Sequence, residues 1–552
     1  MVAILTCGGR TRISISRTVF TVDAGCSADA GINTIKPRSE RPTCDRFKLP
    51  INSAERGAQC PDDKDAQGEP SRQRLIRAVT KKQPTNLTRP PKAMAAALST
   101  LLGRDRFLTD SHSLQHYGRD WTRFVAPAPS GVLLPNTISE IQIIVGLARQ
   151  HGLKLVPSGG RTGLSGGAMA PNGELVLSLE RMRKILPVNK AGRSITCEAG
   201  AITAQIQQAA AEEGLMYPVD FASSGSSQIG GNIATNAGGI QVIRYGMTRD
   251  WVTGLKVVTG TGELLELNQG LIKNNTGLDF RHLFIGSEGI LGVIVEATLA
   301  LTDPPRNPRV MVLGIQTMSA LMQVLANCQA QLTVLAFEFF SDLALEKVTN
   351  QHSIQTPFQA RHPFYALVEF ESTSTAAETQ ALQVVEACMA SGWVNDAVLS
   401  QSESQRRSLW RLREDISETI AQWTPYKNDI STTVQQAPEL LSRVDAVVAQ
   451  HYSDLEVVWY GHIGDGNLHL NILKPDGVSV SDFQDRCKGV SAHLFAAVQE
   501  LRGSISAEHG VGLLKKEFLR FSRTEAEIEL MRGVKAQFDP DGIFNPGKVF
   551  DP

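Results

Sequence analysis

Three glycine-rich runs, each beside an apolar stretch, constrain this chain more than any other feature of its sequence. The first, Pro157-Ser-Gly-Gly-Arg-Thr-Gly-Leu-Ser-Gly-Gly167, follows the apolar piece Leu153–Pro157. The second is Ser224-Gly-Ser-Ser-Gln-Ile-Gly-Gly-Asn-Ile-Ala-Thr-Asn-Ala-Gly-Gly239, and the third is Ile285-Gly-Ser-Glu-Gly-Ile-Leu-Gly-Val-Ile294. Without a Cβ the backbone can turn through positive φ and aim several N–H groups at one anion. One such run is usually a plain turn. Three beside strands in one region suit a long ligand with a pyrophosphate and flat rings, approached closely by backbone at several points. The first run does not open a helix as GxGxxG with an acid ~20 residues on, and no Gly-Lys-Ser/Thr follows it, so neither a Rossmann turn nor a Walker loop is indicated.

The surrounding pattern is mixed. Residues 94–303 alternate strand-like and helix-like pieces: Ser130–Leu134, a helix over 140–151 with Thr137 or Ser139 as its cap, then Leu153–Pro157. This is an α/β rhythm. Asp303-Pro304-Pro305-Arg306 breaks it and marks a domain boundary. Beyond it, Val310–Gln316, Ala336–Phe340 and Phe364–Glu371 read as strands separated by helices such as Met318–Gln331 and Thr375–Ser391. The expected class is α+β: an α/β-type first domain of two α+β subdomains (94–304), an antiparallel-sheet α+β second domain (305–500), and a C-terminal segment (501–552) that returns to the first.

Residues 1–93 differ. They hold 17 Lys/Arg against 9 Asp/Glu, with no sustained periodicity. That composition buries too little apolar surface to offset chain entropy. Residues 1–22 contain Arg10, Arg12 and Arg17 and no acid, as a mitochondrial transit peptide would. The favoured reading is a non-native or disordered extension, with the native start at Met94. A chain beginning at Met94 is therefore expected to keep its full activity and bound ligand; failure of that truncation to fold would show the segment to be structural.

With a formal charge of -1 the whole chain has no field to recruit nucleic acid. No apolar run approaches the ~18–20 residues of a membrane-spanning helix. The eight cysteines form no CxxC pair and read as reduced thiols. A cytoplasmic protein is expected, with peripheral membrane contact compatible and a mitochondrial one if residues 1–22 act as a leader.

A second constellation carries chemistry. In Trp459-Tyr-Gly-His-Ile-Gly-Asp-Gly-Asn-Leu-His-Leu-Asn-Ile472, strands flank a turn at Asp465-Gly466. That turn would make His462 and His469 direct cross-strand neighbours, ~4.5–5.5 Å apart at Cβ. Ser504-Ile-Ser-Ala-Glu-His-Gly-Val-Gly512 adds Glu508 beside His509, and the two can face one site only if this stretch is a turn. Two histidines and a carboxylate are a recognised metal set. Arg413, in a charged helical stretch, offers a fork for a carboxylate.

Taken together, the loops and their order resemble the FAD-binding domain of the vanillyl-alcohol oxidase flavoprotein superfamily, and within it the branch of D-lactate, glycolate and D-2-hydroxyglutarate dehydrogenases. The resemblance covers roughly residues 110–552 and is most specific over Ile229–Gly239. It implies FAD held by Pro157, Gly159, Gly160, Arg161, Thr162, Gly163, Gly166 and Gly167 of the first run. From the second it implies Ser224, Gly225, Ile229, Gly230, Gly231, Asn232, Thr235, Asn236, Gly238 and Gly239. From the third come Gly286, Glu288, Gly289, Gly292 and Ile294, with Asn545 returning from the C-terminus. It further implies His462, His469 and Glu508 as ligands of a divalent metal (Zn, or else Mn or Fe), His509 as catalytic base, and Arg413, Ser417, Lys427 and Asn471 as substrate contacts. Ser417 stands where the family has Thr. Arg161 stands where flavin-linked relatives carry the attaching His, so the FAD is expected to be non-covalent. The implied partners are a small 2-hydroxy acid, with D-2-hydroxyglutarate ahead of D-lactate and glycolate, and an electron acceptor that is a quinone or an electron-transfer flavoprotein. A homodimer is compatible.

Three other functions compete, one of them a catalytically dead flavin-binding or assembly protein, which would have no need of so many polar site candidates. A metal-dependent hydrolase would use His462, His469 and Glu508 and leave the glycine loops idle. A cell-wall UDP-sugar reductase would share the flavin domain without need of the histidine pair.

Overall fold

The computed structural model describes the backbone of Val2–Cys7 and Arg10–Ile15, and the chain over residues 90–551 with Arg123 and Ser353 excepted. The reading of residues 1–93 as an extension falls mostly outside the described residues. Val2–Cys7 and Arg10–Ile15 pair as a hairpin and meet Ala397–Leu399 at a sheet edge.

Two sheets share the first core. In one, Gly131–Leu133, Leu175–Ser178 and Leu155–Ser158 run parallel, with Phe107–Leu108 antiparallel at the edge. The connection from the first of these passes through the helix Ile138–His151, where Thr137 Oγ1 accepts the Glu140 N–H at 3.2 Å. Of the two caps the sequence offered, this is the one whose side chain satisfies an orphan N–H of the first turn. The other sheet is antiparallel, in the order Ser194–Glu198, Gly292–Ala300, Val252–Thr259, Leu264–Leu267. The C-terminal chain returns to this core: the Leu155 N–H donates to Ile543 O at 2.8 Å and the Asn545 N–H to Leu155 O at 2.9 Å.

From Pro308 onward an antiparallel sheet runs in the order Asp396–Leu399, Pro308–Ile315, Phe364–Glu371, Val334–Ser341, Val457–Gly461, Asn467–Ile472, Tyr426–Ser431. Alternation sorts its side chains to two faces. Leu313, Phe337, Phe339, Leu468 and Leu470 pack with the helices Met318–Gln331, Thr375–Ala390, Ala437–His451 and Val480–Glu500. Val312, Ala336, Phe340, Val458 and Tyr460 face the helices Asp342–His352 and Glu403–Glu414. The class is α+β, as the sequence pattern implied. Among the described residues no helix is long and apolar enough to cross a membrane.

Two local readings need correcting. The second glycine run is not loop throughout: Ile229–Thr235 is a helix, ended by Asn236 in the left-handed region (φ 51). The hairpin register is also shifted. Tyr460, not His462, lies opposite His469. The connection is a 3-10 turn, Ile463–Asp465, closed by Gly466 at φ 85, rather than a two-residue turn. A shift of two residues keeps every side chain on its face, so the histidines still share one.

Candidate active site

The face that carries Tyr460 also carries the chemistry. Register places Lys427 opposite Asn471, Asp429 opposite His469, and Tyr460 opposite His469 on the other side. Phe340 pairs with Tyr460, so Glu338, two residues away on that strand, joins the same face. His462 leaves the end of its strand toward it. Its ring centroid lies 5.2 Å from that of His469, near perpendicular at 85°.

Glu508 and His509 arrive from outside the sheet. The 504–512 stretch is irregular, as their joint use of one site requires. Asp429, fully buried, accepts the N–H groups of both Glu508 and His509 on Oδ2 at 2.9 Å and the Asn467 amide on Oδ1 at 2.8 Å. The three imidazole Nε2 atoms then converge on Glu508 Oε1: His462 at 3.8 Å, His469 at 3.6 Å and His509 at 3.8 Å. These gaps are too long for hydrogen bonds. Two tetrahedral ligands at Zn–N distances of about 2.1 Å stand roughly 3.4 Å apart, so the donors fit around one ion. Carboxylates back the rings at Nδ1: Glu338 Oε1 at 2.7 Å from His462, Asp429 Oδ1 at 3.6 Å from His469, and Asp429 Oδ2 at 3.7 Å from His509. Asp429, His469, Glu508 and His509 also form a mutual set with ligand atoms within 4.8 Å. Because Asp429 already accepts three N–H donors, it serves the rings from behind, as carboxylates behind metal-bound histidines do.

Protonation follows from these neighbours. Burial pushes His469 down to about 3 and also lowers His509, leaving neutral rings suited to a ligand and to a base. Burial disfavours charge on His462, but Glu338 and Glu508 outweigh it and raise that ring well above its ordinary value; a bound cation can replace the proton. Burial likewise opposes ionisation of Glu508, yet His462 and His469 hold it down at about 2.

The substrate candidates cluster beside this group. Arg413, only 6% exposed, lies with Cζ 4.6 Å over the Tyr460 ring and Nη2 2.7 Å from Glu338 Oε2, while its buried Nε has no hydrogen-bond partner among the described residues. Lys427 Nζ donates to Ser417 Oγ at 3.0 Å, which unites two residues ten apart in sequence. Asn471 is buried, its amide weakly donating to Val458 O and His469 O at 3.5 and 3.4 Å.

The glycine runs enclose a cavity of about 920 Å³, its solvent-filled mouth included. Pro157, Gly159, Gly160, Arg161, Thr162, Gly163 and Gly167 line it from the first run. Gly230, Gly231, Asn232, Thr235, Glu288, Gly289, Gly292, Ile294 and Asn545 complete that part of the wall. A Cβ on Gly231 would meet nothing within 4 Å among the described residues, and the buried Ser158 Oγ and Gln228 Oε1 on the same wall have no hydrogen-bond partner among them, so the wall suits a polar cofactor. The remaining eight sit behind it or beside it. Ile229 is core, Ser224 Oγ donates to Asp220 at 2.8 Å, and Asn236 accepts the Arg249 N–H at 2.9 Å. Gly166 packs on Leu513, Gly286 on Asn236, and Gly225 is open to its surroundings. Gly239 (φ 126) lies so close to Asp220 O that a Cβ would stand 2.0 Å from it, and a Cβ on Gly238 would come 3.2 Å from Glu508 Oε2. The second run therefore reaches the imidazole cluster. Glu288 lines the cavity, but its carboxylate accepts the Val511 and Gly512 N–H groups at 2.7 and 2.8 Å and so anchors the turn after His509. His509 lines this cavity and also a second one shared with Lys427 and Tyr426.

Sequence reasoning missed Glu338, Asp429 and Tyr460. Period-two alternation from Lys427 and His462 reaches the latter two; Glu338 announced itself only as an acid in an apolar strand.

Two family models match the chain: "FAD binding domain" over residues 129–268 and "FAD linked oxidases, C-terminal domain" over 304–549. A D-2-hydroxyglutarate dehydrogenase of Stutzerimonas stutzeri is 56% identical over 83% of this chain and 99% of its own length. The mitochondrial D-2-hydroxyglutarate dehydrogenase of Bos taurus is 35% identical over 80% and 81%. Among solved structures, p-cresol methylhydroxylase shares the fold, with a TM-score of 0.67 at 15% identity over 83% of this chain and 96% of its own. The chain belongs to the family of FAD-linked dehydrogenases that includes the D-2-hydroxyglutarate dehydrogenases.

Proposed function

We propose that this enzyme, an FAD-dependent D-2-hydroxy-acid dehydrogenase, has D-2-hydroxyglutarate as its first substrate and 2-oxoglutarate as product. The observation that supports this best is the position of His509, which belongs to the imidazole cluster and lines the FAD cavity as well. A proton base and a redox cofactor are both needed where a proton leaves a hydroxyl oxygen and a hydride leaves the Cα that carries it.

Arg413 holds the substrate C1 carboxylate through donors that Glu338 leaves open, which orients Cα and lowers the entropic part of the barrier. His509, neutral at physiological pH, takes the hydroxyl proton at Nε2. A divalent ion, Zn before Mn or Fe, held by His462, His469 and Glu508, supplies Lewis acidity that lowers the hydroxyl pKa. FAD supplies the two-electron acceptor. Lys427, Ser417 and Asn471 offer donors for a second carboxylate, which favours a dicarboxylic substrate over D-lactate or glycolate; the electron acceptor would be a quinone or an electron-transfer flavoprotein. A metal-dependent hydrolase would have no use for the glycine-lined cavity.

A dye-reduction panel of D- and L-2-hydroxy acids on the purified protein tests the substrate. D-2-hydroxyglutarate is expected to give the highest kcat/KM; a higher value for D-lactate would replace it by the second reading, and activity with L acids alone would overturn the stereochemistry. Arg161, with Cζ 4.7 Å over the Tyr117 ring, has no nucleophile to offer a flavin. Acid precipitation is therefore expected to release the yellow colour to the supernatant, and colour retained in the pellet would show a covalent link.

A further inference from the structure

Glu338 lies in the strand Val334–Ser341, among apolar neighbours, and is 1% exposed. A carboxylate so deeply buried destabilises the fold unless its charge is matched. Its two oxygens are divided between two parts of the site: Oε1 lies 2.7 Å from His462 Nδ1, and Oε2 lies 2.7 Å from Arg413 Nη2. The buried Glu369, by contrast, spends Oε1 on Arg406 and on Trp410 Nε1, away from the cluster.

We propose that Glu338 is a positioning residue that ties the candidate metal ligand His462 to the carboxylate clamp Arg413. A proton on Nδ1 shared with Oε1 leaves the His462 Nε2 lone pair facing Glu508 and the ion. The same carboxylate pairs ionically with one Nη of Arg413, and the Tyr460 ring beneath sets the plane of the guanidinium. The carboxylate and hydroxyl of a 2-hydroxy acid sit on adjacent carbons, so clamp and ion must keep a fixed separation. One buried carboxylate, hydrogen-bonded to His462 and ion-paired with Arg413, supplies it. This rests on the metal reading given above.

The test measures zinc affinity on FAD-loaded, metal-stripped protein by competition with a chromophoric chelator, alongside KM and kcat for D-2-hydroxyglutarate. Glu338→Gln is expected to keep its FAD, to weaken zinc by about 10–100-fold, the usual effect of losing a carboxylate behind a metal-bound histidine, and to raise KM. Arg413→Met keeps the packing on Tyr460 and touches no ligand, yet it is expected to tighten zinc severalfold, because Glu338 is left to His462 alone, while KM rises. A merely structural glutamate would not transmit that change. Zinc affinity unaltered in Glu338→Gln, or unaltered or weaker in Arg413→Met, overturns the proposal, and the second variant decides alone if the first loses its FAD. Wild-type protein that takes up no zinc sinks the metal reading instead, and this inference with it.

Discussion

Chelating the divalent ion is expected to abolish turnover of a 2-hydroxy acid while leaving the oxidised-flavin spectrum unchanged. The two sites are built from different segments. The donors converge from the hairpin and the 504–512 turn, whereas the FAD cavity is walled by the three glycine runs and Asn545. They meet at His509 on the cavity wall, at Glu288, which holds the Val511 and Gly512 N–H groups, at Ser165, which donates to His509 O, and where Gly238 approaches Glu508. In the proposed mechanism, removing the ion would take away the Lewis acid at the hydroxyl, a contribution of several kcal/mol to the barrier, so the residual rate should be negligible. His462→Ala should reproduce chelation, with metal content falling and FAD content held. Metal addition should restore the chelated wild type and not the variant. Full turnover after verified metal removal would reduce the cluster to a structural feature.

His509→Ala should lower kcat by roughly 10²–10⁴-fold, the usual worth of a placed general base, with metal content retained. The structure makes this a sharp question, because His509 Nε2 is as near to Glu508 Oε1 as is His462 Nε2, both at 3.8 Å. The assignment of one as base and the other as ligand rests on their surroundings. His509 lines the FAD cavity, and burial lowers its basicity so that it is neutral and ready to accept a proton. His462 is instead held by Glu338. Loss of metal in His509→Ala with metal retained in His462→Ala would reverse the two roles.

Local rules carried the sequence reading a long way. Phe364–Glu371 and Met318–Gln331 are elements whose bounds follow from periodicity and breakers. The hairpin register did not follow, because a two-residue turn and a 3-10 turn ending in a left-handed glycine share the same Asp-Gly signal. Ile229–Thr235 was hidden because its glycines are poor helix formers; tertiary contact with Ala199 and Glu288 overrides propensity there. Asp429 was passed over two residues from the named candidate Lys427, and only the pairing with His469 shows which face it takes. Glu338 acts across 124 residues on His462, a relation no local pattern encodes.

The most direct test is anaerobic addition of D-2-hydroxyglutarate to the oxidised holoenzyme, followed by the flavin absorbance. Bleaching to the reduced spectrum, with 2-oxoglutarate formed in equal amount and no change on addition of the L enantiomer, is the predicted result. A flavin that stays oxidised with every D-2-hydroxy acid, in protein shown to carry both FAD and metal, would contradict it.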